Sequence, residues 1–292
     1  MSLRLCRLLM IALLFSSAPQ LHAEARRYLV ESPMRQPEQG SYIRTLLEMS
    51  LNASKADDEV IEFKFSDSLL SQERRIAEVK SSSSNSLIWV VTNKERETLL
   101  RPIRFSFFNG LYGYRLLVIR KEDQARFAKV QTREDLAKLI AGQGTHWPDS
   151  EVLKANQLPL QLGLEREQLY KMLAAHRFDY FPRSITEIWR EEPLIKSLDL
   201  MVEPRLLLYY PTALYFFVRR DNTELAERLE KGLAILEARG ELNKLLFDLN
   251  ETQAALTDFK QNKRHIIHLS NPDLPTATPV YPPEYWLKEA KR

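Results

Sequence analysis

The run Glu59-Val-Ile-Glu-Phe-Lys-Phe65 puts Ile61, Phe63 and Phe65 on one side of an extended chain and Glu62 and Lys64 on the other. That two-residue period is the signature of a strand with one covered face. Working outward, Tyr28–Val30 and Leu87–Val91 (LIWVV) are further short apolar runs of strand character. Between them, Tyr42 to Leu51 brings Ile43, Leu46, Leu47 and Leu51 onto one helical face, and Leu69 to Val79 does the same with Leu69, Leu70, Ile76 and Val79. The order βαβαβ predicts a mostly parallel sheet with helices on its faces. The polar stretch Ser81–Ser86 is a loop joining the second helix to its strand.

A second block repeats the alternation. Tyr114 to Arg120 (YRLLVIR) reads as a strand, Thr132 to Ile140 as a capped helix, and Asp149 to Asn156 as another. Leu158 to Leu162 and Phe178 to Phe181 read as strands around a helix at 166–175. After Glu203-Pro204 come strands at 206–210 and 213–219, then a long amphipathic helix over 223–238 with Leu225, Leu229, Leu233 and Leu236 aligned and Gly240 at its end. A further helix runs through Leu249. The expected division is a signal segment at 1–23, a discontinuous first lobe of 24–112 plus 206–270, a second lobe of 113–205, and an extended Pro-rich tail at 271–292. Two crossings between the lobes, near Gly110–Gly113 and near Pro204, make a hinge. The cleft between such lobes is where a small ligand is expected.

The first residues read as an export signal. Arg4 and Arg7 precede the apolar run Leu8–Phe15, and Leu21-His22-Ala23 ends on a small residue. The expectation is cleavage after Ala23 and a periplasmic mature protein. Cleavage removes the only cysteine, Cys6, so the remaining chain of roughly 270 residues must rest on its apolar core rather than on disulfides. The formal charge of +3 falls further once Arg4 and Arg7 leave, which argues against nucleic acid as a partner. No phosphate loop, no Gly-x-Ser-x-Gly elbow and no His-Glu-x-x-His helix occurs, so the chain does not read as an enzyme and no cofactor is expected. His265 and His268 fall on a predicted strand and face opposite ways, so no metal site is expected there.

Several stretches carry a resemblance: Glu95–Glu97 leading to Leu100-Arg-Pro-Ile-Arg104, Gly110-Leu-Tyr-Gly-Tyr-Arg115, Gly142-Gln-Gly-Thr-His-Trp147 with Asp149, Arg177-Phe-Asp-Tyr-Phe-Pro-Arg183 with Glu187-Ile188, Tyr215–Val218, and Leu269–Pro275 with Thr278-Pro279. Together they resemble an uncharacterised bacterial branch of the amino-acid-type (family 3) extracellular solute-binding proteins. The resemblance covers nearly the whole mature chain. It implies the two-lobed type 2 periplasmic-binding α/β fold and a small solute held between the lobes. In that family a Thr-x-x-Arg segment grips the ligand carboxylate; Thr92-Asn-Lys-Glu-Arg96 matches it with one residue more, making Arg96 the counterpart. A Gly-Thr segment supplies backbone donors, and Gly144-Thr145 is its counterpart. The family's acidic residue for the ligand ammonium falls on Ser184, beside Arg183, which suits an anionic group, while Glu187 is the residue that can take its place if it points into the cleft; the solute implied is anionic or amino-acid-like.

The candidate ligand contacts are therefore Arg96, Gly144, Thr145, Trp147, Tyr180, Arg183 and Glu187. Each has a plainer reading. Arg96 sits in a charged run, and Trp147 can plug the space under the Gly142–Gly144 loop. Arg183 and Glu187 can pair with each other at i, i+4. Tyr180 and Phe181 alternate, so one faces the cleft and the other the core. Glu191-Glu192 reads as a solvated helix end, and Phe105, Phe107, Phe108, Phe216 and Phe217 read as core. Expected partners are the solute and an inner-membrane ABC-type permease or an envelope sensor, with the protein itself monomeric. The alternative is an envelope interaction or signalling module on the same fold that has lost its solute.

Overall fold

The computed structural model describes residues 26–34, 41–66, 70–281, 285, 286 and 288. The expected signal segment and Leu69 lie outside the described residues.

Among the described residues, twelve strands follow in chain order. The first four are β1 (Arg26–Ser32), β2 (Glu59–Phe65), β3 (Leu87–Val91) and β4 (Leu100–Ile103). The next six are β5 (Tyr114–Arg120), β6 (Ala141–Gly144), β7 (Leu160–Gly163), β8 (Phe181–Ser184), β9 (Leu200–Val202) and β10 (Leu206–Tyr209). The last two are β11 (Leu214–Arg219) and β12 (His265–His268).

In the first lobe β1 and β2 pair in parallel, with Ile61 opposite Tyr28 and Phe63 opposite Val30. A bridge from Glu31 to Ser86 connects this pair toward β3. There β11 lies between β3 and β4, antiparallel to both. In the second lobe β5 is the centre, antiparallel to β8, β9 and β10, while β6 and β7 form a parallel pair. The sheets are thus mixed rather than mostly parallel. A strand that has just crossed from the other lobe enters its new sheet from the opposite end, so the crossing strands run antiparallel to their neighbours.

Two residue periods build the core. Along β5, Leu116 and Val118 face one apolar cluster while Leu117 and Ile119 face another. Along β11, Phe216 and Val218 take one side and Tyr215 and Phe217 the other. Central strands covered on both faces read as continuous apolar runs, as both of these do. The helices Tyr42–Ser54 and Thr223–Ala238 cross so closely that a Cβ on Gly232 would lie 1.7 Å from the Ser50 carbonyl oxygen.

The expected division shifts at its second crossing. β10 pairs with β5 and β12 pairs with β10, so 206–209 and 265–268 join the sheet of the second lobe, not the first. The crossing falls at 210–213, after Tyr209 rather than at Pro204. A four-residue apolar run has no feature that names its sheet; the antiparallel partner decides it. Other elements move as well. The helix expected over 132–140 is a single turn, Arg133–Leu136, closed by a Thr132/Asp135 capping box. The strand expected at 178–181 lies at Phe181–Ser184. A helix at Asn250–Asn262 has no counterpart among the expected elements.

The two crossings are tightly packed. The Tyr210 N–H donates to the Gly113 carbonyl, and a Cβ on Gly113 would lie 2.6 Å from the Tyr210 carbonyl oxygen, so the crossings touch backbone to backbone. The tail then straps both crossings. Asn271 donates to the Pro211 carbonyl, Tyr209 donates to the Tyr281 carbonyl at 2.8 Å, and fully buried Trp286 donates to the Asn109 carbonyl at 2.8 Å.

Candidate ligand site between the lobes

Two cavities open between the lobes, and Trp147 with Pro148 walls both. The Arg183 chamber, about 300 Å³, is lined by Gln72 and Val91 of the first lobe and by Tyr112, Arg115, Gln143, Asp149, Arg166, Arg183 and Glu187. The Arg96 chamber, about 410 Å³, lies between Ile76, Lys80, Asn93, Arg96 and Leu99 on one side and Thr145, His146 and Glu151 on the other. His146 Nδ1 reaches Glu73 Oε1 across the cleft at 3.2 Å.

Arg96 is placed by its own local structure. Asn93 caps the short helix Lys94–Leu99 by accepting from the Arg96 N–H. The guanidinium, 7% exposed, folds back to donate to the Val91 carbonyl at 2.6 Å and to Gln72 Oε1. Its hydrogen bonds among the described residues thus end on neutral oxygens. Burial pulls its pKa down to about 10, and the charges of Glu73, Glu95, Asp149 and Asp273 offset only part of that. It remains a cation at neutral pH, desolvated and, among the described residues, without a bonded carboxylate.

Arg183 is the opposite case. β8 carries it inward, where Nε and Nη2 make a two-point contact with Glu191 at 2.9 and 2.7 Å, and Nη2 also meets Glu187 at 3.1 Å. Glu191 additionally accepts from the Tyr170 hydroxyl. Burial pulls the Arg183 guanidinium down, and Glu187 and Glu191 more than restore it, leaving it well above its ordinary value. Burial likewise raises the Glu191 carboxyl, and Arg183 with Tyr170 and Arg166 outweighs it, so Glu191 is held low. Glu191 is 6% exposed, so the solvated helix end expected at Glu191-Glu192 is overturned for its first member. The helix Ile188–Ser197 buries that side chain against β8, a long-range fact that two glutamates before a proline do not announce.

The expected backbone cradle is already occupied from within. The Gly144 N–H donates to Gln143 Oε1 at 3.0 Å, and the Thr145 N–H donates to the Gly163 carbonyl at 2.9 Å. Parallel pairing of β6 with β7 carries the ladder to that point and takes the amide of Thr145. The two glycines of the loop serve packing: a Cβ on Gly144 would sit 2.2 Å from the Trp147 ring, and one on Gly142 would sit 2.1 Å from Phe178. Trp147 lies on Gly144, stacks on Phe181 at 6.3 Å and has the Arg183 guanidinium over its ring at 5.3 Å. It both plugs its loop and lines the cleft.

Tyr180 does not reach the cleft. It is fully buried, edge-on to Phe127 in the core of the second lobe, while Phe181 supports Trp147 and Arg183. Alternation put the two on opposite faces but could not say which face held the site.

Arg115 and Asp149 are further site residues, not among the expected contacts. Arg115 Nε and Nη2 meet Asp149 Oδ1 at 2.9 and 2.8 Å, and the guanidinium lies over the rings of Tyr112 and Tyr210 at 4.8 and 4.9 Å. Burial raises the Asp149 carboxyl, and Arg115 and the Tyr210 hydroxyl outweigh it, so the group is held below the carboxylate range. The signal in the sequence is an arginine inside the apolar strand YRLLVIR, which needs a buried partner. Tyr112 also donates to Glu187 at 3.0 Å.

Comparison by sequence finds no matching family model and no matching curated protein. Comparison by structure finds solved chains of the same architecture. An ancestral arginine-binding protein bound to arginine aligns with a TM-score of 0.51 at 15% identity, over 76% of this chain and 96% of its own. A periplasmic binding protein of Salmonella typhimurium with high arginine specificity aligns at 0.54 and 16%, over 76% and 97%. A histidine kinase sensor domain with similarity to periplasmic binding proteins aligns at 0.52 and 16%, over 76% and 95%. Identities this low carry the architecture and leave the ligand open. With its two α/β lobes, its paired crossings and its cleft, the chain has the two-lobed α/β fold of the amino-acid-type periplasmic solute-binding proteins.

Proposed function

We propose that this protein is an exported solute receptor that captures a small anionic solute between its lobes and hands it to an ABC-type permease or presents it to an envelope sensor. The observation that carries the reading is Arg96: a buried guanidinium on a cavity wall, hydrogen-bonded to neutral oxygens and lowered in pKa by desolvation. An incoming carboxylate or phosphate would supply the missing charge in a low-dielectric site, where such a contact is strongest. Ile76, Leu99 and Trp147 line the same chamber and suit an apolar body on that acid. Among the solved neighbours are an amino-acid ABC transporter protein of Streptococcus pneumoniae bound to L-arginine and the kinase sensor domain, which supports both downstream roles. Another is an ancestral amino-acid-binding precursor of cyclohexadienyl dehydratase; we read the present chain as a binding protein without catalysis, acting as a monomer in the periplasm.

The alternative, an envelope interaction module without a solute, is favoured by a different observation. Arg183 is neutralised from within, and the Gly144 and Thr145 amides are already used. Thermal-shift and calorimetric titration with a panel of carboxylates and phosphates separates the two. The receptor reading expects at least one acid to raise the melting temperature of the wild type, to contract it in small-angle scattering, and to lose its effect in Arg96→Ala. A wild type that responds to none of them, or responds equally without Arg96, overturns the assignment.

A further inference from the structure

Across Trp147 from Arg96, the Arg183 chamber offers hydrogen-bonding groups that the described residues leave unused. Gln72 accepts from Arg96 through Oε1, and since a guanidinium only donates, the orientation of that amide is set and its NH₂ points elsewhere. Gln143 is 1% exposed and accepts the Gly144 N–H through Oε1 at 3.0 Å, so its NH₂ is likewise directed away from the loop and has no partner among the described residues. Among the described residues, Asp149 takes its bonds on one oxygen: Arg115 Nε at 2.9 Å, Arg115 Nη2 at 2.8 Å and the Tyr210 hydroxyl converge on Oδ1, leaving Oδ2. All three side chains line the same chamber, Gln72 from the first lobe and Gln143 and Asp149 from the second.

The charges around them cancel. Arg115 pairs with Asp149, and Arg183 and Arg166 face Glu187 and Glu191. An ammonium at Asp149 Oδ2 would meet the Arg115 guanidinium held on the same carboxylate, and a second carboxylate would meet Asp149 and Glu187. A neutral group that both donates and accepts meets neither penalty. The geometry points to a bifunctional solute: an acid anchored at Arg96, whose far end is a neutral hydroxyl or carboxamide held by Gln72, Gln143 and Asp149. Gln72 joins both ends, since its carbonyl oxygen holds Arg96 while its side chain lines the second chamber. This inference rests on the Arg96 reading and adds the chemistry of the solute's other end.

Calorimetric titration of the full mature chain with butyrate, 4-hydroxybutyrate, succinamate, 4-aminobutyrate and succinate tests it. The hydroxyl or carboxamide acid is expected to bind about tenfold tighter than butyrate, the gain of one or two added hydrogen bonds. Gln143→Leu should bring the ratio of the neutral acid's Kd to butyrate's close to one, and Arg96→Ala should abolish binding of all five. If Gln143→Leu does not fold, Gln72→Leu is read by the same ratio of the neutral acid to butyrate. Equal binding of all five through Arg96, tighter binding of 4-aminobutyrate or succinate, or a gain that survives both glutamine variants overturns the bifunctional solute while leaving the anion receptor standing. Binding of none overturns both.

Discussion

The two chambers on either side of Trp147 use the same residue type in opposite ways. Arg183 is a buried cation whose charge is answered by Glu191 on the next helix and Glu187 at that helix's N-cap, while Arg96 is a buried cation answered by a backbone carbonyl and an amide. The first arrangement is complete without a guest and belongs to the architecture of the second lobe. The second is incomplete, and incompleteness of that kind is what a ligand can relieve. Burial alone therefore does not separate a structural arginine from a binding one, since both are 7% exposed; the partner does.

The largest effect that would break this contrast is on the Arg183 side. Glu191→Ala leaves Arg183 and the Tyr170 hydroxyl without their main acceptor, and should cost about 3–5 kcal/mol in urea denaturation. The same pair sets an acid dependence. Glu191 and Asp149 have folded-state pKa values below their unfolded ones, so their stabilisation is present above the ordinary carboxylate pKa and disappears as pH falls through the lowered folded values. Wild-type stability should drop steeply in that acid window, and Glu191→Ala should flatten the drop. A variant as stable as wild type with the same acid profile would show that the Arg183 chamber is not self-supporting.

Next in size is the wall that both chambers share. Gly144→Ala drives a methyl into the Trp147 ring at 2.2 Å, and displacing that side chain should cost about 1–3 kcal/mol and change the tryptophan emission. Unchanged emission would mean that Trp147 does not rest on this loop as described. Smaller still, Arg96→Leu should alter stability by no more than about 1 kcal/mol, because the desolvation of an unpaired cation is removed along with two hydrogen bonds to neutral oxygens. A loss as large as that of Glu191→Ala would make the two arginines equivalent and remove the contrast. Least of all, His146→Ala should change stability by under about 1 kcal/mol in the same titration, since the His146–Glu73 pair is half exposed on both sides.

Much of this was legible in the chain itself, and the exceptions have identifiable causes. Alternation along Glu59–Phe65 and the aligned leucines of 223–238 report local periodicity, which each element carries whole. Motifs quoted for their family likeness, among them Tyr112, Arg115, Gln143, Trp147, Asp149, Arg183 and Glu187, converge on one cavity. Their roles were less legible. Glu191 looked like surface because its partner lies eight residues away across a strand-to-helix turn. Tyr180 and Phe181 could be separated but not assigned, because a strand shows that it has two faces without showing what covers each.

The amino-acid sequence by itself determined the alternation of strands and helices, the two α/β blocks they build, and the glycine loop at 142–144 that Trp147 can plug. Those are consequences of side-chain period and volume, which act over a few residues. Only the tertiary structure decided that the strands at 206–209 and 265–268 belong to the second lobe, that the Gly144 and Thr145 amides are used internally, and that among the described residues Arg96, unlike Arg183, bonds to no carboxylate. Those depend on which distant groups meet, and a guanidinium's role is set by the charge it finds there.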